Sequence, residues 1–160
     1  MRMSEAFAQH WRDERLDEVL SAITLNPELR ALVHAPLVRQ AGTLLLEPLS
    51  LTTPEPECFP DVTGYEAFTN KIHVDNFIDE RASPRQQVGE LIRQGTRAAL
   101  DPSRRLEAEG RFRVLLSLQL DMQAMTLRLF ERRDAEPWGT DNPDDYEHEA
   151  VLMIDTDARP

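Results

Sequence analysis

The sequence predicts an α+β domain in which N-terminal helices pack on one face of a mainly antiparallel sheet. Apolar residues in the first forty positions recur at helical spacing, whereas from Arg111 onward they alternate every second residue. The chain order adds to this: helices come early and three strands come last, which suits a layer of helices over hairpin-connected strands. A length of 160 residues lies within the usual size of one domain, so a single domain over 1–160 is expected.

Ser4 precedes Phe7, Trp11, Leu16, Val19, Leu20 and Ile23 at helical spacing, which predicts a first amphipathic helix over about 5–23. Asn26-Pro27-Glu28 supplies an N-cap, a proline at the first helical position and an acid in the first turn. The second helix should run to about Gln40, bend or break near Pro36 and close at Gly42. The apolar run Thr43 to Thr52 reads as a strand that Pro48 puts at an edge or a bulge.

Tyr65 to Ile78 reads as a helical turn followed by a strand, the latter marked by Ile72 and Val74. Ser83-Pro84-Arg85-Gln86 has the pattern of a capping box, so a third helix should start there and stop near Asp101-Pro102. Phe112, Val114, Leu116, Leu118 and Leu120 then alternate with Arg111, Arg113, Leu115, Ser117, Gln119 and Asp121, giving the clearest strand in the chain. Asp121-Met122-Gln123 would turn it into a second strand through Met125, Leu127 and Leu129, although the turn lacks glycine. A polar loop with Pro137, Gly139, Asn142 and Pro143 leads to a last buried strand, Ala150 to Ile154.

The formal net charge of −11 is concentrated in two stretches. Gly42 to Glu80 holds eight acids against Lys71 alone, and Asp134 to Asp157 holds nine acids with no Lys or Arg. The rest of the chain is net basic. Excess charge of one sign repels itself and is tolerated for solubility or for a partner of opposite sign, so a basic macromolecule is the first partner to consider. The lone Cys58 excludes an intramolecular disulfide, the charged first 20 residues exclude a signal-peptide apolar region, and no apolar run could span a bilayer. A cytoplasmic protein that does not engage membranes is expected.

Asp141, Asp144, Asp145, Glu147, His148 and Glu149 place oxygen ligands close together, but a calcium loop needs alternate ligands and a glycine at its sharp turn, where Pro143 stands instead. His73 and Asp75 share a strand face without a second His or Cys nearby, so a surface polar pair is preferred to a metal site. Cys58 stands between Glu57 and Phe59, where acids suppress the thiolate, and no nucleophile, phosphate-loop or dinucleotide motif is present. Neither metal nor cofactor is expected, and no catalytic residue is assigned. Arg104, Arg105, Arg111 and Arg113, with Arg128, Arg132 and Arg133, could in principle hold phosphates; neutralising acids within the fold is the preferred reading, so no nucleic acid is expected.

Aromatic residues stand among the acids: Phe59, Tyr65, Phe68 and Phe77 in the first stretch, Trp138 and Tyr146 in the second. Phe68 and Phe77 are expected to be core. Acids interleaved with aromatic anchors have the composition of a protein interface for a basic patch. Asp75, Asp79, Glu80, Asp144, Asp145 and Glu147, with Tyr146 or Trp138 as apolar anchor, are the candidate contacts. The alternative is a small-molecule hydrolase using a carboxylate pair with His73 or His148, which an open apolar pocket around those groups would favour.

The segments Phe112-Arg-Val-Leu-Leu-Ser-Leu, Thr126-Leu-Arg-Leu-Phe-Glu-Arg-Arg, the Trp138 loop and Tyr146-Glu-His-Glu-Ala-Val-Leu-Met-Ile resemble bacterial polymorphic-toxin immunity proteins of the contact-dependent growth inhibition type. Gly64-Tyr-Glu-Ala-Phe-Thr-Asn-Lys-Ile-His-Val-Asp-Asn-Phe is similar to the central region of that group, whereas residues 1–42 do not contribute. The resemblance implies a cytoplasmic antitoxin that binds the toxic C-terminal domain of a secreted bacterial effector, often a nuclease, and needs no catalytic residue. A nuclease face that holds phosphates is basic, so the acidic stretches suit the same partner.

Overall fold

The structure is a computed structural model that describes residues 1–51, 54–107, 110–119, 121 and 123–156. Leu120, Met122, Thr52 and Asp157, which figure in the expected strands, turn and acidic stretch, lie outside the described residues. The fold is α+β. Its main sheet has five strands, β1 (Arg2–Met3), β4 (Lys71–His73), β5 (Phe112–Gln119), β6 (Ala124–Glu131) and β7 (Glu149–Thr156), in the order β1-β7-β5-β6-β4 with every neighbour antiparallel. A separate hairpin joins β2 (Leu37–Gln40) to β3 (Thr43–Leu46).

The alternation in β5 sorts its side chains to two faces. Phe112, Val114, Leu116 and Leu118 enter the main core with Met125, Leu127 and Leu129 of β6 and Ala150, Leu152 and Ile154 of β7. Over this first face lie α1 (Glu5–Asp13), α3 (Pro27–Val33) and the long α6 (Pro84–Leu106), contributing Phe7, Leu29, Val33, Leu91, Ile92 and Ala99. The helix α6 approaches the sheet at Gly95, where a methyl group would overlap the Met125 sulfur and lie 3.1 Å from Leu116. The second face carries Leu115, Phe130, Val151 and Met153 against Ala67 of α5 (Val62–Thr69), with Trp138 and Tyr146 packed alongside.

Several expected boundaries shift, each for a local reason. The first helix stops at Asp13 because Arg15 takes a left-handed conformation (φ 51°); the short α2 (Leu16–Val19) then turns Leu16 into the core. The second helix ends at Val33, ahead of Pro36, and residues 37–40 form β2; Ala41 and Gly42, both at positive φ, make the hairpin turn, not a helix end. Pro48 stands at the start of a short helix, α4 (Glu47–Ser50), where its missing N–H costs nothing, so β3 stops at Leu46. The capping box forms as expected, with Ser83 N and Oγ both donating to Gln86 Oε1 at 3.0 and 2.7 Å. Pro102, expected to end that helix, is buried within it, and α6 continues to Leu106.

Glu66 on α5 and Asn70, which caps the helix C-terminus, connect the hairpin to the main sheet. Glu66 accepts from Leu44 N and Glu131 N, both at 2.8 Å, while Asn70 accepts from Leu46 N and donates to the carbonyls of Leu44 and Leu129. These side chains take up backbone groups of β3 and β6 that would otherwise be buried without partners.

Candidate functional site

Three acids of the second stretch, Asp134, Asp141 and Asp155, are engaged by arginines from outside it. Arg113 is almost fully buried and donates to Asp155 at 2.7 Å and to Asp141 at 2.6 Å; Arg2 also reaches Asp155, and Arg132 lies 3.8 Å from it. Arg111 pairs with Asp134 at 3.0 Å, and Glu136 accepts from Thr63 N and Oγ1. Burial pushes the Asp155 pKa up, but the hydrogen bond and charge of Arg113, with Arg132 and Arg2, outweigh it and hold the group below the ordinary carboxylate value. In the first stretch the fully buried Glu66 is held by Arg133 Nη2 at 2.9 Å, and Asp61 caps α5 by accepting from Gly64 N at 2.6 Å. The charge separation along the sequence is thus partly cancelled in space.

What stays open is a groove of 470 Å³ between the β2–β3 turn, the Pro54–Pro60 loop and α5. Glu55 and Glu57 are exposed over a wall that includes Phe59 and Tyr65; Asp61 adds a third acid, and among the described residues no Lys or Arg is in the lining. Phe59 packs edge-on to Tyr65 (5.3 Å between ring centres) and against Phe68 (5.2 Å), carrying the aromatic surface out of the groove. Phe68, expected in the core, is 46% exposed; Phe77 packs against the main core as expected. Such a groove can take a cationic side chain between carboxylates and rings.

The candidate contacts named from the sequence divide between the two edges of the sheet. Asp75, Asp79 and Glu80 follow β4 at one edge, whereas Asp144 accepts from Glu5 N at 2.8 Å beside β1 at the other. Asp75 accepts from Met125 N, Asp79 from Arg81 N, and Asp145 from Thr140 Oγ1 and Asn142 Nδ2, so these carboxylates hold local backbone and loop structure. Glu80 and Glu147 are exposed and pair with no basic side chain among the described residues. Trp138 and Tyr146 are half-buried: Trp138 stacks edge-on to Phe130 at 5.0 Å, and Tyr146 packs on the second-face cluster. The two sets of acids do not form one compact patch.

His73 Nδ1 lies 3.9 Å from Asp75 Oδ1, beside a polar cavity of 180 Å³ on the second face that also includes Lys71, Ser117, Thr126 and Arg128. His148 is exposed. Among the described residues no group of three or more His, Cys, Asp or Glu is arranged to hold a metal ion, and no helix is long and apolar enough to cross a membrane. Cys58 is an exposed free thiol.

The groove acids Glu55 and Glu57 and the cavity residues Lys71, Ser117, Thr126 and Arg128 were not singled out by sequence reasoning as partner contacts. Alternation on β5 and β6 does put Ser117, Thr126 and Arg128 on the face opposite the main core, and that much is readable from period two. The groove depends on a loop folding back over a hairpin turn, for which the sequence carries no periodic signal.

No curated protein and no solved structure matches the chain. A family model does match, over residues 3–159, and it takes in every helix described here together with the strands β2 to β7. The chain belongs to the Uncharacterized protein PM0498 family.

Proposed function

We propose that this protein is an immunity protein of the contact-dependent growth inhibition type, acting in the cytoplasm to bind and neutralise the basic toxic C-terminal domain, a nuclease, of a bacterial effector. The observation that carries this reading is the groove in which Glu55, Glu57 and Asp61 stand around Phe59 and Tyr65 with no basic residue in the lining among the described residues. After the internal ion pairs are formed, this is where acids and aromatic surface still occur together, and exposed Phe68 extends it as an apolar anchor. Glu80 and Glu147 add negative charge away from the groove and would steer a basic partner without touching it closely. No catalytic step is required of the protein.

The test pairs the protein with the C-terminal domain of the secreted effector encoded beside it. Glu55→Lys combined with Glu57→Lys is expected to slow association about tenfold at low salt, with the difference shrinking at high salt. Reversal of Asp144, Asp145 and Glu147 to Lys should have a smaller effect, because Asp144 and Asp145 are already engaged within the fold. An unchanged rate for the groove variant at both salt concentrations would remove the groove from the interface. A metabolic gene neighbourhood with no effector would overturn the antitoxin reading itself.

The hydrolase reading draws on one observation, His73 near Asp75 at the rim of the 180 Å³ cavity. Asp75 Oδ1 is also the acceptor for Met125 N, which ties that carboxylate to the backbone of β6 and leaves it poorly placed to serve the imidazole.

A further inference from the structure

The second face of the sheet treats its guanidinium groups unequally. Arg113, on β5, is held by two carboxylates, and Arg133, just past β6, is held by Glu66 and Glu131. Arg128, on β6 and only partly exposed, makes no ion pair among the described residues. Its Nη1 donates to Thr126 Oγ1 at 2.6 Å, and its guanidinium lies 5.8 Å from the centre of the Trp138 ring. A guanidinium has five N–H donors, so most of its capacity is unused by the fold. Burial lowers the Arg128 pKa more than the attraction of Glu149 and Tyr146 raises it, as expected where negative charge is in short supply.

A second cation stands directly beside it. Lys71 of β4 is the cross-strand partner of Arg128, and His73 is the partner of Thr126. Like charges opposite one another destabilise an antiparallel pair, and an edge strand of three residues has little else to offset that. Lys71 Nζ lies 5.2 Å above the Phe68 ring and has no carboxylate partner among the described residues. The two cations open onto the 180 Å³ cavity, whose lining also provides His73, Gln119 and the hydroxyls of Ser117 and Thr126. Those hydroxyls are 3.0 Å apart, so one proton can be shared while the other is directed into the cavity. The one carboxylate in the lining among the described residues, Glu149, accepts from Gln119 Nε2 at 3.1 Å. The volume exceeds what a single water occupies several-fold and accommodates a phosphate group.

We propose that this cavity is a binding site for a small phosphate-bearing anion, clamped between Arg128 and Lys71, with His73, Ser117 and Thr126 completing the cradle. The anion supplies the counter-charge that the fold gives to Arg113 and Arg133 but withholds from Arg128. A bidentate guanidinium contact with an ammonium on the opposite side is an effective arrangement for a phosphate oxyanion. The site is on the opposite side of the sheet from the main core and its lining residues differ from those of the acidic groove, so it does not depend on toxin binding.

The experiment is an NMR titration of the full chain with inorganic phosphate, with methyl phosphate as a second arm and sodium chloride at equal ionic strength as the control. Saturable amide shifts confined to residues near 71–73, 115–119 and 124–128 are expected with phosphate and not with chloride. The tighter of the two arms tells whether the free ion or a monoester is the better ligand. Arg128→Gln and Lys71→Gln should each weaken binding about tenfold. Lys71 lies on the edge strand, so Lys71→Gln decides the matter even if the Arg128 variant fails to fold. Shifts that grow linearly and match those of chloride, or unchanged affinity in a folded Lys71→Gln variant, would overturn the proposal.

Discussion

At the scale of single residues, the environment of each arginine decides what its loss would cost. Removing Arg133 leaves Glu66 buried with a full negative charge and only backbone donors, a situation that typically costs about 3–5 kcal/mol. We expect Arg133→Met to lose stability of that order in urea unfolding, and Arg128→Met to lose less than about 1 kcal/mol, because no carboxylate is orphaned in the second case. Equal losses would mean that Arg128 is satisfied by the fold, contrary to its geometry. The sequence makes such residues visible only by type. That Arg113, Arg132 and Arg133 would neutralise acids was readable from the charge distribution, whereas the pairing of Arg133 with Glu66, far apart along the chain, was not. Long-range partners follow from which strands become neighbours, and charge alone does not select one acid among many.

At the scale of elements, periodicity and capping patterns located β5, β6, β7 and α6 well, because each is long enough or strongly enough marked for its period to show. The segments from Arg15 to Leu51 were harder. A left-handed Arg15, a proline that starts a helix and a four-residue strand are set by tertiary packing, which short segments cannot override. Pro102 is a further case: it lies near the end of α6, with the chain on both sides held by buried Ala98, Ala99 and Leu106, and the helix tolerates the missing hydrogen bond. Gly95 gives a test on the same helix. Alanine normally improves a helix by up to about 1 kcal/mol, yet here its methyl would overlap Met125 on the sheet. Overpacking costs about 1–3 kcal/mol, so Gly95→Ala should lower the unfolding midpoint. A double-mutant cycle with Met125→Val should show strong coupling, the second change relieving the first. A stabilising Gly95→Ala would mean that α6 sits farther from the sheet than described.

At the scale of the whole molecule, the formal charge of −11 overstates the negative surface, because Asp155, Asp141, Asp134 and Glu66 are engaged by arginines. Asp155 has a folded-state pKa below its unfolded value, so it contributes stability that is fully present above about pH 4 and is lost as pH falls through the folded value. Asp155→Asn should therefore be less stable than the wild type at pH 7 and show a shallower loss on acidification; parallel pH curves for the two proteins would sink this linkage. The α+β layering was legible in the sequence from two periodicities, but the union of the first strand with the last was not, since Arg2 and Met3 are too few to show alternation. Ser4 N donates to the Val151 carbonyl, and Val151 N donates back to Ser4 Oγ, 147 positions away in the chain. That closure places a constraint on synthesis. During synthesis β1 waits for β7 before it has a partner, and central β5 acquires β6 well before β7. A nascent chain stalled ahead of residue 149 would hold its helices over a sheet that lacks β7 and its pairing with β1. Binding of any target that needs the finished sheet would then begin only once β7 has been synthesised.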